Sequence, residues 1–279
     1  MRLAYSPCPN DTYIFAALTN ALIPDAPRVE AVLDDVESLN GAARRGRYEL
    51  TKVSYGAIPF LLDRYRILRA GGALGRGCGP LLVSRPRPSG DVPTLSSLEP
   101  DALIAIPGVM TTAFLLMRLA LGRTPPYAEM RFDRIVGAVA GGEVDAGLII
   151  HESRFTYQAH GLRPIADLGE WWEGESGVPI PLGAVLVRRD LDDATARGID
   201  DAIRRSLAFA RKREDAVMPY VRAHAAEMSD DVMRKHIALY VNEYSEDVGE
   251  KGLGAVKALY ARAAGAGLIP AETKPEFVP

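Results

Sequence analysis

The chain has 279 residues, enough for one large domain or two ordinary ones, and its 48% hydrophobic and 25% charged residues are typical of a globular protein. The net charge is −3 and Lys and Arg form no cluster, which argues against a nucleic-acid partner. The sequence contains no run of about 18 apolar residues, which a membrane-spanning helix would need. The first residues also lack the apolar core of a signal peptide, so we expect a cytoplasmic protein.

Short apolar runs alternate with helical patterns at the start of the chain, which predicts βα units around a parallel sheet. We predict strands over residues 3–5, 29–33 and 50–54. We predict helices over residues 12–21, 36–45 and 57–63. Asn10 or Asp11 is expected to cap the first of these helices.

A glycine-rich segment follows at residues 71–79. It lacks the Lys-Ser/Thr pair of a P-loop and no helical pattern follows it directly, so a phosphate-binding loop is disfavoured. Because glycine tolerates unusual backbone angles, we interpret this segment as a crossing between two lobes.

A second βα series begins after this crossing. Strands are predicted over residues 103–106, 130–132, 146–150 and 182–187. Helices are predicted over residues 113–121, 134–140, 198–212, 215–227, 230–241 and 254–264, with a cap at Ser229. This order predicts an α/β protein in which residues 1–84 and 185–279 form the first lobe and residues 85–184 an inserted second lobe, with a ligand cleft between them.

Four of the predicted strand–turn units end in polar residues. They are Ser6 with Asn10 and Asp11, Lys52 with Ser54, Thr111 with Thr112, and His151 with Glu152. In an open α/β sheet, ligands bind at the carboxyl ends of the strands. If these strands are parallel, the four groups are therefore expected to meet at one edge of each sheet.

His151 is the strongest candidate for chemistry, because an imidazole titrates near neutral pH and suits acid–base catalysis. A buried structural histidine, satisfied by a backbone carbonyl, is the alternative. Glu152 is expected to point away from His151 if strand geometry continues, so we give it no catalytic role. His224 and His236 are expected on solvated helix faces, and the four histidines show no metal-ligand spacing.

Two further groups point to an anion. Lys52 lies in an otherwise apolar strand and is costly to bury, so it is expected to face a cleft or an anion unless it protects a sheet edge. Thr111 and Thr112 lie where a helix begins, and its free N–H groups and dipole favour an anion. Plain N-capping by the threonines is the alternative.

The cysteines and tryptophans carry weaker signals. Cys8 has no histidine nearby in the sequence to activate it, so we interpret it as a small residue that fills a loop. Cys8 and Cys78 show no CxxC spacing, so no structural zinc is expected. Trp171 and Trp172 are predicted in a loop, where packing and stacking on an aromatic ligand both remain open.

Four segments resemble the 1,4-dihydroxy-6-naphthoate synthases, namely residues 6–12, 50–55, 71–77 and 147–157. The resemblance extends from Arg2 to about Val248. It implies a two-lobed fold like that of type II periplasmic binding proteins. It also implies a lyase of the futalosine route to menaquinone, which converts cyclic dehypoxanthine futalosine to 1,4-dihydroxy-6-naphthoate and dihydroxyacetone without a metal or an organic cofactor.

The same resemblance implies roles for particular residues. His151 matches the family's proton acceptor. The substrate-binding segments are matched by Lys52, Val53 and Ser54 and by Thr111, Thr112 and Ala113.

The alternative function is a non-catalytic two-lobed binding protein for a small carboxylate, which the missing export signal disfavours. A small molecule is the expected partner, and the sequence does not decide whether the chain forms a homodimer.

Overall fold

Two β-sheets, each flanked by helices, organise the computed structural model, which describes residues 1–225 and 229–279. In chain order the strands are β1 (Arg2–Tyr5), β2 (Glu30–Leu33), β3 (Leu50–Ser54), β4 (Tyr65–Ile67), β5 (Ala73–Gly75), β6 (Leu81–Ser84), β7 (Ile104–Ile106), β8 (Tyr127–Glu129), β9 (Ala146–Ile149), β10 (Arg163–Asp167) and β11 (Ile180–Arg188). The helices are α1 (Pro9–Thr19), α2 (Val36–Arg44), α3 (Thr112–Leu121), α4 (Phe132–Gly141), α5 (Ser153–Thr156), α6 (Leu168–Ser176), α7 (Asp193–Lys212), α8 (Glu214–His224), α9 (Asp230–Tyr240), α10 (Glu243–Glu246) and α11 (Gly249–Gly265). Within these ranges, no helix is long and apolar enough to cross a membrane.

The first sheet has the strand order β2-β1-β3-β11-β4, and β5 also pairs with β11. Strand β1 runs parallel to β2 and β3, whereas β11 runs antiparallel to β3, β4 and β5. Successive side chains of β11 point to opposite faces. Val185 and Val187 pack with helices α1 and α7, and Ala184 and Leu186 belong to the core on the other face.

The second sheet has the order β10-β6-β9-β7-β8. Strands β7, β8 and β9 are parallel, whereas β6 is antiparallel to both β9 and β10. Both sheets are therefore mixed, and the prediction of a parallel sheet was wrong for β11, whereas β6 and β10 were not predicted as strands. The sequence pattern indicates that a segment is a strand, but the path of the chain between the lobes decides its direction.

The chain crosses between the sheets near the glycine-rich segment. Strand β5 pairs in the first sheet and β6 in the second, and the chain returns with β11, which begins at Ile180. The predicted boundaries at residues 84 and 184 assign β6 to the first lobe, although it pairs in the second sheet. They also assign the start of β11 to the second lobe, although β11 pairs in the first sheet. Pairing partners decide which sheet a strand joins, and an apolar run does not reveal them.

Several predicted elements differ from the structure. The strand predicted at residues 130–132 lies at Tyr127–Glu129, and Phe132 already begins α4. The helix predicted at residues 57–63 is only a 3₁₀ turn, Ile58–Phe60. The end predicted at Glu227 for the helix now seen as α8 lies outside the described residues.

Caps account for two other differences. Helix α1 begins at Pro9 with Cys8 as its N-cap, so Asn10 and Asp11 lie inside the first turn and do not cap it. The segment predicted as a tryptophan-bearing loop is helix α6, whose N-cap Asp167 accepts hydrogen bonds from two backbone N–H groups. The predicted cap of α9 at Ser229 is confirmed, since its side chain accepts from the N–H of Val232.

The beginnings of β6 and α6 approach so closely that only glycine fits. A Cβ atom on Gly79 would lie 2.3 Å from both the Cα and the nitrogen of Gly169. We expect Gly79→Ala to lower the free energy of unfolding by roughly 1–3 kcal/mol, because the backbone must move to admit the methyl group. Urea denaturation measures this change.

Gly174→Ala is the matched control, in the helix α6 that Gly79 contacts. Apart from its chain neighbours and the backbone of its own helix, no atom of the described residues lies within 4 Å of the Cβ that alanine would add at Gly174. Alanine inside a helix is favoured over glycine by about 0.5–1 kcal/mol, so this variant should be at least as stable as the wild type. A Gly79→Ala protein of unchanged stability would contradict the close packing.

Candidate active site

A cavity of about 740 Å³, including its open mouth, lies between the two sheets. It is lined where β1, β3, β7 and β9 end, together with residues of β11 and α9. All of the residues predicted for the site line it: Lys52, Val53, Ser54, Thr111, Thr112, Ala113 and His151. The structure therefore brings together groups that are up to 99 positions apart in the sequence (Lys52 to His151).

Lys52 projects from the fully buried strand β3 and forms an ion pair with Asp11 in the first turn of α1. The two side chains are only 7% and 5% exposed. The Asp11 carboxylate also accepts hydrogen bonds from Ser6 Oγ at 2.8 Å and from Asn10 Nδ2 at 2.7 Å. The ammonium group thus has its counter-charge within the protein while its side chain still lines the cavity.

The threonine hydroxyls at the start of α3 are already engaged. Thr111 Oγ1 caps the helix by accepting from the N–H of Phe114 at 3.2 Å. Thr112 Oγ1 donates to the carbonyl of Leu182 at 2.8 Å and accepts from the N–H of Gly56 at 3.0 Å, which ties α3 to the first sheet. An anion at this turn would therefore meet the first backbone N–H groups of α3, which have no partner within the helix.

Glu37 links the two lobes beside Ser54. Its carboxylate accepts from the N–H of Met110 at 3.0 Å and from Asn40 Nδ2 at 2.9 Å, and Asn40 Oδ1 accepts from the N–H of Ser54 at 2.9 Å. Burial raises the pKa of Glu37. Gly108 packs against the same carboxylate, since a Cβ there would lie 2.4 Å from it. The two lobes are in direct contact at this edge of the cavity.

His151 follows strand β9 with a φ of 56°, in the left-handed region that non-glycine residues seldom adopt. Its Nδ1 atom lies 3.2 Å from Cys8 Sγ, and its ring packs edge-on against Phe132 with centroids 4.9 Å apart. Its Nε2 atom is buried and has no hydrogen-bond partner among the described residues. One ring nitrogen thus contacts Cys8 and the other has no partner in the described part of the chain, and His151 is one of the residues that line the cavity.

Cys8 was interpreted as a small residue that fills a loop, and its contact with His151 was not predicted. The two residues are 143 positions apart in the sequence. Cys8 is buried at the N-cap of α1. Burial, and then the carboxylates of Glu152 and Asp11, raise the pKa of its thiol well above the usual value. The thiol is therefore protonated at neutral pH. The only sequence signal was that Cys8 lies within the first segment of the family resemblance.

His236 is a second imidazole in the cavity wall, and its predicted solvated position was wrong. It is 1% exposed, and neither ring nitrogen has a hydrogen-bond partner in residues 1–225 and 229–279. Its ring lies nearly parallel to that of His151, with centroids 6.5 Å apart. Burial, and then the charges of His151 and Lys52, lower its pKa to about 3. The buried stripe Met233, His236 and Tyr240 follows helical spacing, which could have predicted this inward face.

The remaining candidates have structural roles or none in the site. Trp172 is fully buried and donates from Nε1 to the carbonyl of Pro179 at 3.2 Å, and Trp171 packs beneath Arg262; neither tryptophan lines the cavity. Cys78 lines the cavity, and burial raises its pKa to about 12. In the part of the chain that the structure describes, no three His, Cys, Asp or Glu residues are grouped so that they could hold a metal ion.

Comparisons with known proteins agree with one another and cover most or all of the chain. Residues 1–265 match the family described as Menaquinone biosynthesis. A 1,4-dihydroxy-6-naphthoate synthase of Thermus thermophilus is 50% identical over 100% of this chain and 99% of its own. A protein of the same name from Streptomyces coelicolor is 44% identical over 97% of this chain and 95% of its own.

Solved structures show the same architecture. A crystal structure of a protein from Archaeoglobus fulgidus superposes with a TM-score of 0.87 at 37% identity, covering 96% of this chain and 98% of that one. The alkanesulfonate-binding protein of Xanthomonas axonopodis, bound to MOPS, superposes with a TM-score of 0.72 at 16% identity, covering 100% of this chain and 96% of that one. The predicted periplasmic-binding-protein-like fold is confirmed.

The buried neutral His236 predicts a loss of stability in acid. Its pKa is about 3 in the folded chain and 6.5 in the reference state, so between these values the unfolded chain binds the extra proton. Stability therefore falls as the pH falls through this window. At pH 5 the loss should be roughly 2 kcal/mol relative to pH 7.5, as measured by urea denaturation at the two pH values.

His236→Gln keeps a polar side chain that does not titrate, so this share of the pH dependence should disappear. The matched control is His224→Gln, because His224 is a half-buried histidine outside the cavity. The control should keep the pH dependence of the wild type. An unchanged pH dependence in His236→Gln would refute the assignment.

The buried ion pair predicts non-additive effects of mutation. Asp11→Asn leaves the Lys52 ammonium buried without its counter-charge, which should cost roughly 3–5 kcal/mol of unfolding free energy. In Asp11→Asn/Lys52→Met no buried charge remains, so part of that stability should return. Denaturant unfolding of the single and double variants tests this, and purely additive losses would contradict a coupled pair.

Proposed function

The chain belongs to the menaquinone biosynthesis family, and we propose that it is a 1,4-dihydroxy-6-naphthoate synthase acting as a carbon–carbon lyase. Its proposed substrate is cyclic dehypoxanthine futalosine, and its products are 1,4-dihydroxy-6-naphthoate and dihydroxyacetone. The observation that carries the proposal is the free, buried Nε2 of His151 in the wall of the cavity. A cytoplasmic location and a small molecule as the partner belong to the same proposal.

His151 acts as the general base in this proposal. Its Nε2 removes a proton from the substrate, and the electron pair left behind starts the carbon–carbon cleavage. The product is an aromatic ring, whose formation favours the forward reaction. Proton transfer by a positioned group contributes about 10²–10⁴-fold to the rate.

The cavity suits a flat, acidic molecule. Ligand sites are mostly apolar with a few polar groups, and this cavity has Val36, Leu39 and Ile150 among its walls. Lys52 and the first backbone N–H groups of α3 are the groups we propose for a carboxylate or a developing oxyanion. His151 then stands at the reacting carbon.

Contact between the lobes supports the same reaction. Thr112 joins the start of α3 to Gly56 of the first lobe. Glu37 of the first lobe binds the backbone of Met110 in the turn before α3. A substrate enclosed between these contacts would be held in one geometry and shielded from water. Such enclosure favours cleavage over a competing reaction with solvent.

The decisive variant is His151→Asn, because asparagine tolerates a positive φ and cannot act as the base. We expect naphthoate formation to fall by at least about 100-fold in kcat, with substrate affinity changed only a few-fold. Mass spectrometry of the products and calorimetric titration of the substrate measure the two effects. His160→Asn, at an exposed position, is the control and should keep the wild-type rate.

Two outcomes would overturn the proposal in different ways. Naphthoate formation by His151→Asn at the wild-type rate would show that His151 is not the base. Tight binding of the substrate by the wild type without any turnover would favour a binding protein for a small carboxylate, as in the alternative function.

A further inference from the structure

We propose that Cys8 is a positioning residue for His151, and that its sulfur accepts a hydrogen bond from Nδ1–H so that Nε2 presents an unprotonated lone pair to the cavity. The inference rests on the proposed function, in which His151 is the base. It concerns the tautomer of that base, which the proposed reaction requires but does not explain.

The position of the sulfur is set by the first turn of α1. Cys8 is 3% exposed, and its backbone carbonyl accepts from the N–H groups of both Asp11 and Thr12 at 3.0 Å. Pro9, whose φ is restricted by its ring, begins the helix directly after it. The Asp11 side chain is held in turn by Lys52. The sulfur is therefore carried by a rigid piece of backbone.

The imidazole is held from two sides. Nδ1 faces Cys8 Sγ at 3.2 Å, within the range of a hydrogen bond to sulfur, and Phe132 packs against the ring. Nε2 is buried without a partner in the described part of the chain, although His151 lines the cavity. The two nitrogens thus have different surroundings, and only Nε2 is left for a ligand.

The protonation state follows from the partner of Nδ1. A neutral imidazole carries one N–H, and the hydrogen bond made by one nitrogen decides which tautomer forms. Burial and nearby carboxylates raise the pKa of Cys8, so the sulfur is a neutral thiol and not a thiolate. A neutral thiol can donate to Nδ1 or accept from it, and we assign it the acceptor role because only then does Nε2 keep the lone pair that the proposed base needs.

The proton balance of the proposed step is then simple. Nε2 takes one proton from the substrate carbon, and the ring becomes an imidazolium. The Nδ1 proton stays on the ring and remains hydrogen-bonded to the thiol throughout. If the thiol instead donated its S–H to Nδ1, Nε2 would already carry the proton and could not act as the base.

Nitrogen-15 NMR of the substrate-free protein, labelled at histidine, tests the tautomer directly. The His151 signals are assigned by their loss in His151→Asn. We expect wild-type His151 to be protonated at Nδ1, and Cys8→Ala to shift towards a mixture of the two tautomers. A wild-type Nε2–H tautomer, or no tautomer change in Cys8→Ala, would overturn the proposal.

Kinetics supply the second readout. Cys8 does not line the cavity, so Cys8→Ala should lower kcat by roughly 10–100-fold while KM stays within about twofold. Cys8→Ser keeps an acceptor for Nδ1–H and should recover part of kcat and the wild-type tautomer. An unchanged kcat in Cys8→Ala, or a serine variant no better than alanine in both measurements, would contradict a positioning role.

The two proposals fail separately. The NMR measurement needs no substrate, so it reports on the Cys8–His151 contact even if the chain does not make naphthoate. Conversely, an Nε2–H tautomer in an enzyme that loses activity in His151→Asn would refute the role of Cys8 and leave His151 as an essential residue.

Discussion

A lysine in a buried strand needs a counter-charge, and for Lys52 this is the carboxylate of Asp11. The pair ties the middle of β3 to the first turn of α1. Asn10 in that turn and Ser6 just before the helix donate to the same carboxylate, and Cys8 at the N-cap contacts His151. One ionic interaction thus sets the place of a cavity-lining ammonium group and, through α1, the surroundings of the imidazole.

The lobes are joined by more than the cavity edge. One apolar core includes Tyr55 of the first lobe, Ile106 and Phe114 of the second, and Trp172 of α6. Strand β11 returns the chain to the first sheet and pairs with three of its strands. The polar contacts at Glu37 and Thr112 and this shared core together hold the two lobes to each other.

The sequence predicted those cavity residues whose type and position in a predicted strand or turn both indicate a site. Thr111 and His151 were found because each is a polar residue after a short apolar run, and Lys52 because a charged residue within such a run is costly to bury. The directions of β6 and β11 were not predictable in this way, since direction depends on where the chain crosses. Cys8 and His236 were missed because their significance lies in neighbours that are distant in sequence.

The positive φ of His151 bears on which residue would be selected at this position. A residue held at a φ of 56° costs about 1 kcal/mol or more relative to glycine, which adopts that angle freely. Selection for thermal stability alone would therefore favour glycine at position 151. The imidazole at this position is thus not explained by folding, and laboratory evolution towards heat resistance should be run with an activity screen.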